Sequence, residues 1–173
     1  VPTHDNHAEL AVGNASVVVM CRDAVPDTIA ETQDANCTIR RYLDAGGKVV
    51  WYSDIPFYYV TTAGGANTTW GTGGSTNILG FNAAGGTWDV GGTVTITDEG
   101  VKWGLTDAWT STRPAAPAPI ENFTILASDA NGNAPGYVAH FLPGDTFRGF
   151  VRIEDHTGAP VNTIFPIRTR THI

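Results

Sequence analysis

The sequence predicts an α/β domain with a mostly parallel sheet and a β-rich C-terminal extension, and three observations predict it. Two continuous apolar runs, "SVVVMC" (16–21) and "KVVWYS" (48–53), have the pattern of strands covered on both faces. The interval between them carries helix signals, so the two strands should run parallel with a right-handed crossover. Three further strand-like runs crowd the last third of the chain. At 173 residues a single domain, 1–173, is expected, long enough to bury a real core. With Val1 first and neither an initiator Met nor a leader ahead of it, the chain reads as a fragment or processed part of something longer.

Residues 1–15 are polar and lack apolar periodicity, with "HAEL" the stub of a helix. After the first strand, Pro26 suits a helix start, and Asp27 and Glu31 suit the positive end of its dipole. Ile29, Cys37, Ile39, Tyr42 and Leu43 supply an apolar stripe, and Gly46-Gly47 stop the helix. Residues 61–93 are dense in Gly, Thr and Asn. So long a loop is unusual in a compact domain, and a short helix around "STNILGF" should interrupt it. "TVTIT" (93–97) alternates like a strand, and residues 103–109 read as short helix or irregular chain before a proline-rich passage. "NFTILAS" (122–128), "GYVAHFL" (136–142) and "RGFVRIED" (148–155) read as strands. "DANGN" (129–133) carries the Asn-Gly hairpin signal, and residues 156–160 read as another turn.

Composition narrows the function classes. Charged residues are only 16% and the net charge is −7, with no basic stripe, so a nucleic-acid partner is not expected. No apolar run approaches the roughly 18–20 residues that span a bilayer. The Gly, Thr, Asn and Ala richness has an extracellular or cell-surface style. Four N-x-S/T triplets occur, at Asn14, Asn36, Asn67 and Asn122. Asn36 falls inside the expected helix, which leaves Asn14, Asn67 and Asn122 as candidate glycan acceptors. Cys21 ends the first strand and Cys37 lies on the helix that packs back on it. That geometry permits a disulfide suited to an oxidising compartment; two buried free thiols are the alternative.

Candidate chemistry gathers where the two apolar strands end. Asp23 and the pair Ser53-Asp54 follow their carboxyl ends, the edge at which open α/β sheets bind ligands. Two carboxylates there have the composition of an acid–base pair, or of a hold on a cation or on sugar hydroxyls. Asp after a strand more often caps its own turn. Ser53 sits in "Y-S-D-I-P", which is no nucleophile elbow, and no base accompanies it. Tyr58, Tyr59 and Trp70 are candidate sugar platforms, whereas Trp51 and Phe57 read as core. "HDNH" (4–7) falls short of the three or four convergent ligands a metal needs, and "DANGN" lacks the glycine and distal Glu of a calcium loop. Arg113 in "STRPA" reads as a structural partner for a loop carbonyl or carboxylate. The Gly-rich stretch has no Gly-Lys-Ser/Thr and is no phosphate loop. Neither a metal nor a cofactor is expected, and no residue is assigned as catalytic.

"IRRYLDAGGKVVWYSDIPFYY", "ITDEGVKWGLTDAWTSTRPA" and "LASDANGNAPGYVAHF" with "GFVRIED" resemble the class I glutamine amidotransferase-like family, and most nearly its trehalose-utilisation-like and glycosidase-associated domains. That resemblance implies a flavodoxin-like three-layer sandwich from about residue 16 onward. The chain departs from it at the chemistry: Cys21 stands in "VMCRD" and Cys37 in "ANCTI", neither in a G-x-C-x-G elbow, and no late His-x-Glu pair occurs. Glutamine hydrolysis is therefore not expected. The expected function is a non-catalytic module of a secreted or surface protein that packs against other domains or copies of itself. The alternatives are a carbohydrate-binding crevice at Asp23, Ser53, Asp54, Tyr58, Tyr59 and Trp70, and a glycan hydrolase using Asp23 and Asp54.

Overall fold

A computed structural model describes residues 16–83, 92–111, 113, 122–144 and 147–154. Its main sheet has six strands in the order β1-β3-β11-β10-β9-β7. β1 (Val17–Met20) and β3 (Lys48–Ser53) pair in parallel with Val17 opposite Lys48, as their apolar runs predict. β11 (Gly149–Glu154) lies parallel to β3 on its other side. Beyond it the sheet turns antiparallel: β11 with β10 (Gly136–His140), β10 with β9 (Phe123–Ser128), and β9 with β7 (Thr95–Ile96).

Side chains alternate across this sheet, as the pleat requires. Val49, Trp51, Phe150, Tyr137 and Ala139 enter one apolar cluster with Phe57, Ile78 and Leu79. Tyr52, Val151, Ile153, Val138 and Leu126 enter the other with Leu105 and Phe147. Helix α1 (Thr38–Asp44) contributes Ile39, Tyr42 and Leu43 to the first cluster, and α2 (Thr72–Leu79) contributes Ile78 and Leu79. On the second face, α3 (Asp98–Lys102) rests against β9. Thr97 caps α3 by accepting from Gly100 N at 3.0 Å, and its hydroxyl donates to Ile125 O at 2.7 Å, so one side chain starts the helix and ties it to the sheet.

A smaller sheet of order β2-β4-β5 is formed by β2 (Ala24–Pro26), β4 (Tyr59–Thr61) and β5 (Asn67–Thr69). β2 and β4 are parallel; β4 and β5 form a hairpin over Gly64-Gly65, where Gly65 adopts φ 81°. β6 (Gly92–Thr93) and β8 (Thr110–Ser111) form a short third ladder. "TVTIT" is thus divided between two sheets at the buried Val94, whose N–H donates to Trp109 O at 2.9 Å.

These pairings correct the expected fold class. Among the described residues 35% are strand and 17% helix, and half of the main sheet is antiparallel, so this is not a flavodoxin-like three-layer sandwich with a mostly parallel sheet. The error begins at residues 26–37, read as the first turns of a helix. Pro26 instead ends β2, and the chain then turns repeatedly. Asp34 Oδ1 accepts from the Thr32 hydroxyl at 3.1 Å and from Asn36 N at 2.6 Å. Such local side-chain bonds compete with helix, and only 38–44 remain helical. The turn at "DANGN" forms as expected: Asp129 Oδ1 accepts from Asn131 N and Asn133 N, both at 2.8 Å, and Gly132 takes φ 78°. The turn expected at 156–160 lies outside the described residues.

Candidate functional site: a polar cleft where β1 and β3 end

Beyond the carboxyl ends of β1 and β3 lies an open cleft of about 860 Å³. Its floor comes from Cys21–Ala24 and Ser53; its wall is the small sheet and the turns beside it, with Pro26, Asp27, Thr28, Thr61, Thr62, Ala63, Gly65 and Asn67. Parallel pairing of β2 with β4 sets the chain leaving β1 beside the β4–β5 hairpin.

The floor is organised by hydrogen bonds. Ser53, buried at the end of β3, donates its hydroxyl to Asp23 Oδ1, and the Asp54 N–H approaches the same oxygen at 3.4 Å. Asp23 is exposed. Asp54 points elsewhere: it is buried, and its Oδ2 accepts from Arg113 Nη1. Arg113 in turn offers its carbonyl to Arg152 Nη2 at 2.9 Å. Arg152 is fully buried on β11 and also donates to Ala83 O at 3.2 Å. Two arginines in series therefore brace the turn behind the cleft. Trp51 adds to the brace, its indole N–H donating to Asp54 O at 2.9 Å. On the hairpin wall the Thr61 hydroxyl donates to Asn67 Oδ1 at 2.6 Å.

Of the residues singled out from sequence, Asp23 and Ser53 meet at the cleft. Asp54 lies behind it, held by the kind of partner expected of Arg113. Tyr58 and Tyr59 pack edge to face at 4.8 Å between centroids and, with Trp70, are half-buried outside the cleft lining. Trp70 leans on the core and accepts at its carbonyl from Gln33 Nε2 at 3.2 Å. Trp51 and Phe57 are core. Cys21 and Cys37 are free thiols, not a disulfide: Cys21 is exposed at the cleft floor, while Cys37 is buried at the N-cap of α1. Burial, with Glu31 and Asp34 nearby, pushes the Cys37 thiol above its ordinary pKa. Asn36, Asn67 and Asn122 are exposed; Asn14 and the "HDNH" cluster lie outside the described residues. Among the described residues no three His, Cys, Asp or Glu converge as metal ligands.

Sequence reasoning missed Thr61 and Thr62, and read Asn67 as a glycan acceptor without placing it at the cleft. Their signal was available in "TTAGGANTT", a Gly-Gly turn between Thr-rich arms, which is a hairpin pattern. Arg152 was also missed, although a lone Arg inside the apolar "GFVRIE" is a mark of a buried brace.

Fold and cleft together define a β-rich protein on a mixed sheet, with a polar cleft at the end of its parallel strands. The chain belongs to the MJECL34 family, whose family model matches residues 8–169. This membership and the antiparallel half of the sheet overturn the glutamine amidotransferase-like resemblance. No curated protein matches the chain. Among the described residues, no helix is long and apolar enough to cross a membrane.

Proposed function

We propose that this chain is a non-catalytic module of a secreted or cell-surface protein and that it binds carbohydrate in the cleft where β1 and β3 end. The observation that carries the reading is the lining. It combines an exposed carboxylate, Asp23, pre-oriented by Ser53, with the carboxylate of Asp27, the guanidinium of Arg22, the hydroxyls of Thr28, Thr61 and Thr62 and the amide of Asn67. Hydroxyl, amide and carboxylate groups of this kind match the alternating donors and acceptors of a polyol. The glycan-hydrolase alternative needs two carboxylates facing one bond. Asp54 is engaged by Arg113 and is not part of the lining, which disfavours it. The test is an oligosaccharide array probed with the full chain, wild type and Asp23→Ala. A glycan bound by the first and lost by the second supports the reading; no bound glycan overturns it.

One observation favours assembly as a second reading. β1, "VVVM", is the outermost strand of the main sheet among the described residues, and Val19 is 58% exposed. Outer apolar strands are templates for pairing with another chain. Native mass measurement of the full chain tests it: whole multiples of 18.3 kDa support assembly, and a monomer at working concentration removes it.

A further inference from the structure

Three of the four glycosylation triplets fall within the described residues, and the fold treats them differently. Asn36 is followed by Cys37 and Thr38, both buried, and the Thr38 hydroxyl is bonded to Glu31. Asn122 is followed by Phe123, which packs against the core, and by Thr124, half-buried with its hydroxyl 3.1 Å from His140 Nε2. In both, the hydroxyl that the triplet supplies for acceptor recognition is committed to the protein's own structure. Asn67-Thr68-Thr69 is β5 itself, the outer strand of its sheet, with all three residues exposed. The Thr61 hydroxyl donates to Asn67 Oδ1, a bond that uses the amide's acceptor and not the Nδ2 protons. Asn67 also stands on the wall of the cleft.

We infer that Asn67 is a glycan acceptor of this chain and that its glycan covers the cleft, so that modification regulates access to Asp23. The donor is a lipid-phosphate-linked oligosaccharide used by the host's transferase. A bond forms between Asn67 Nδ2 and the sugar C1, the C1–O bond to phosphate breaks, the amide loses one proton, and the lipid phosphate leaves. The Thr61 bond survives, because the glycosylated amide keeps Oδ1 as acceptor. A glycan anchored on the wall is at high effective concentration over a cleft lined to receive sugar hydroxyls. This inference rests on the carbohydrate-binding reading of the cleft.

The experiment has two measurements on the full chain made in a host with asparagine-linked glycosylation. Glycopeptide mass mapping should find sugar on the peptide bearing Asn67 and lose it in Asn67→Gln; an unmodified Asn67 overturns the inference. Coverage is then read at Cys21, the exposed thiol on the cleft floor, while buried Cys37 stays silent. A bulky maleimide should label the glycosylated chain several-fold more slowly than the same chain made without glycosylation. Equal rates overturn the covering. Labelling is independent of sugar affinity, so an unmodified chain that binds no glycan on the array sinks the carbohydrate reading alone.

Discussion

Ser53 at the end of β3 donates its hydroxyl to Asp23, which lies just past the end of β1, so these two neighbouring parallel strands are joined by side chains at the edge where the cleft opens. The bond orients the one cleft carboxylate that approaches the strand ends from solvent. Asp23→Ala should leave a buried hydroxyl without this acceptor, at a cost of about 1–3 kcal/mol. Ser53→Ala should cost about 1 kcal/mol. Because one contact is removed in each, the double variant should be less destabilised than the sum of the two. Urea midpoints of all four proteins check this; strict additivity would mean that the two groups do not interact.

How far the sequence revealed this arrangement depended on the range of the contact. β1, β3, β9, β10 and β11 are legible because each is a run of apolar, β-branched or aromatic residues long enough to show its pattern. β2, β4 and β5 are three residues each and carry no pattern of their own. Pro26 reads as a helix start only because nothing local says that Ala24–Pro26 will pair with Tyr59–Thr61. The site followed the same division. Asp23 and Ser53 were found because strand ends are found. Asn67 was not found as part of the site, because its approach depends on that pairing. The Asp54–Arg113 contact spans 59 positions, and its partner choice is settled by packing.

Arg113 and Arg40 offer a contrast between a buried and an open ion pair. Arg113 is 18% exposed against Asp54 at 8%, whereas Arg40 is 22% exposed against Asp44 at 49%. Removing Arg113 takes one charge-assisted hydrogen bond from the buried Asp54 carboxylate, at about 1.5–3 kcal/mol. An exposed pair along a helix contributes only about 0.3–0.5 kcal/mol. Arg113→Met should therefore lower the thermal midpoint far more than Asp44→Asn, and should also disturb the turn behind the cleft. Asp44→Asn is the better comparison because Arg40 also donates to Ile78 O at 2.7 Å. Equal shifts in the two variants would remove the argument from burial.

Glu31 caps α1 from a distance. Cys37, the N-cap residue, makes no side-chain capping bond, and Glu31 Oε2 accepts from Thr38 N at 2.9 Å while Oε1 accepts from the Thr38 hydroxyl. Burial pushes the Glu31 carboxyl pKa up, but the bonds from Thr38, with Arg41 nearby, outweigh it and bring it below the ordinary 4.5. A carboxyl lowered on folding stabilises the folded state above its unfolded pKa. That contribution is lost as the pH falls through the lower, folded value. Glu31→Gln keeps one acceptor oxygen but loses the charge beside the helix N-terminus, and should cost about 0.3–1 kcal/mol at neutral pH. The difference between variant and wild type should shrink below pH 4.5, and urea titrations at pH 7 and pH 3 measure it. A difference that persists unchanged at pH 3 would mean that the charge of Glu31 is not what caps the helix.

Gly100 lets the backbone of α3 lie directly against β9. A Cβ at this position would overlap the carbonyl oxygen of Leu126 and stand 2.8 Å from Ile96 Cγ2. The first obstacle is backbone in the middle of a strand and cannot rotate away. Ordinarily Gly→Ala inside a helix is favourable by about 1 kcal/mol. Here the sign should reverse, because α3 would have to lift from β9 and pull on the Thr97 cap that holds both. Gly100→Ala should therefore destabilise by about 2 kcal/mol or more, within the range seen for overpacked cores. Thr97→Ala, which removes the cap without adding bulk, should cost about 1 kcal/mol. Hydrogen exchange would separate the causes: Gly100→Ala should speed exchange in both α3 and β9, while Thr97→Ala should speed it mainly at the first turn of α3. Faster exchange confined to the helix in both variants would show that the contact with Leu126 does not hold the two elements together.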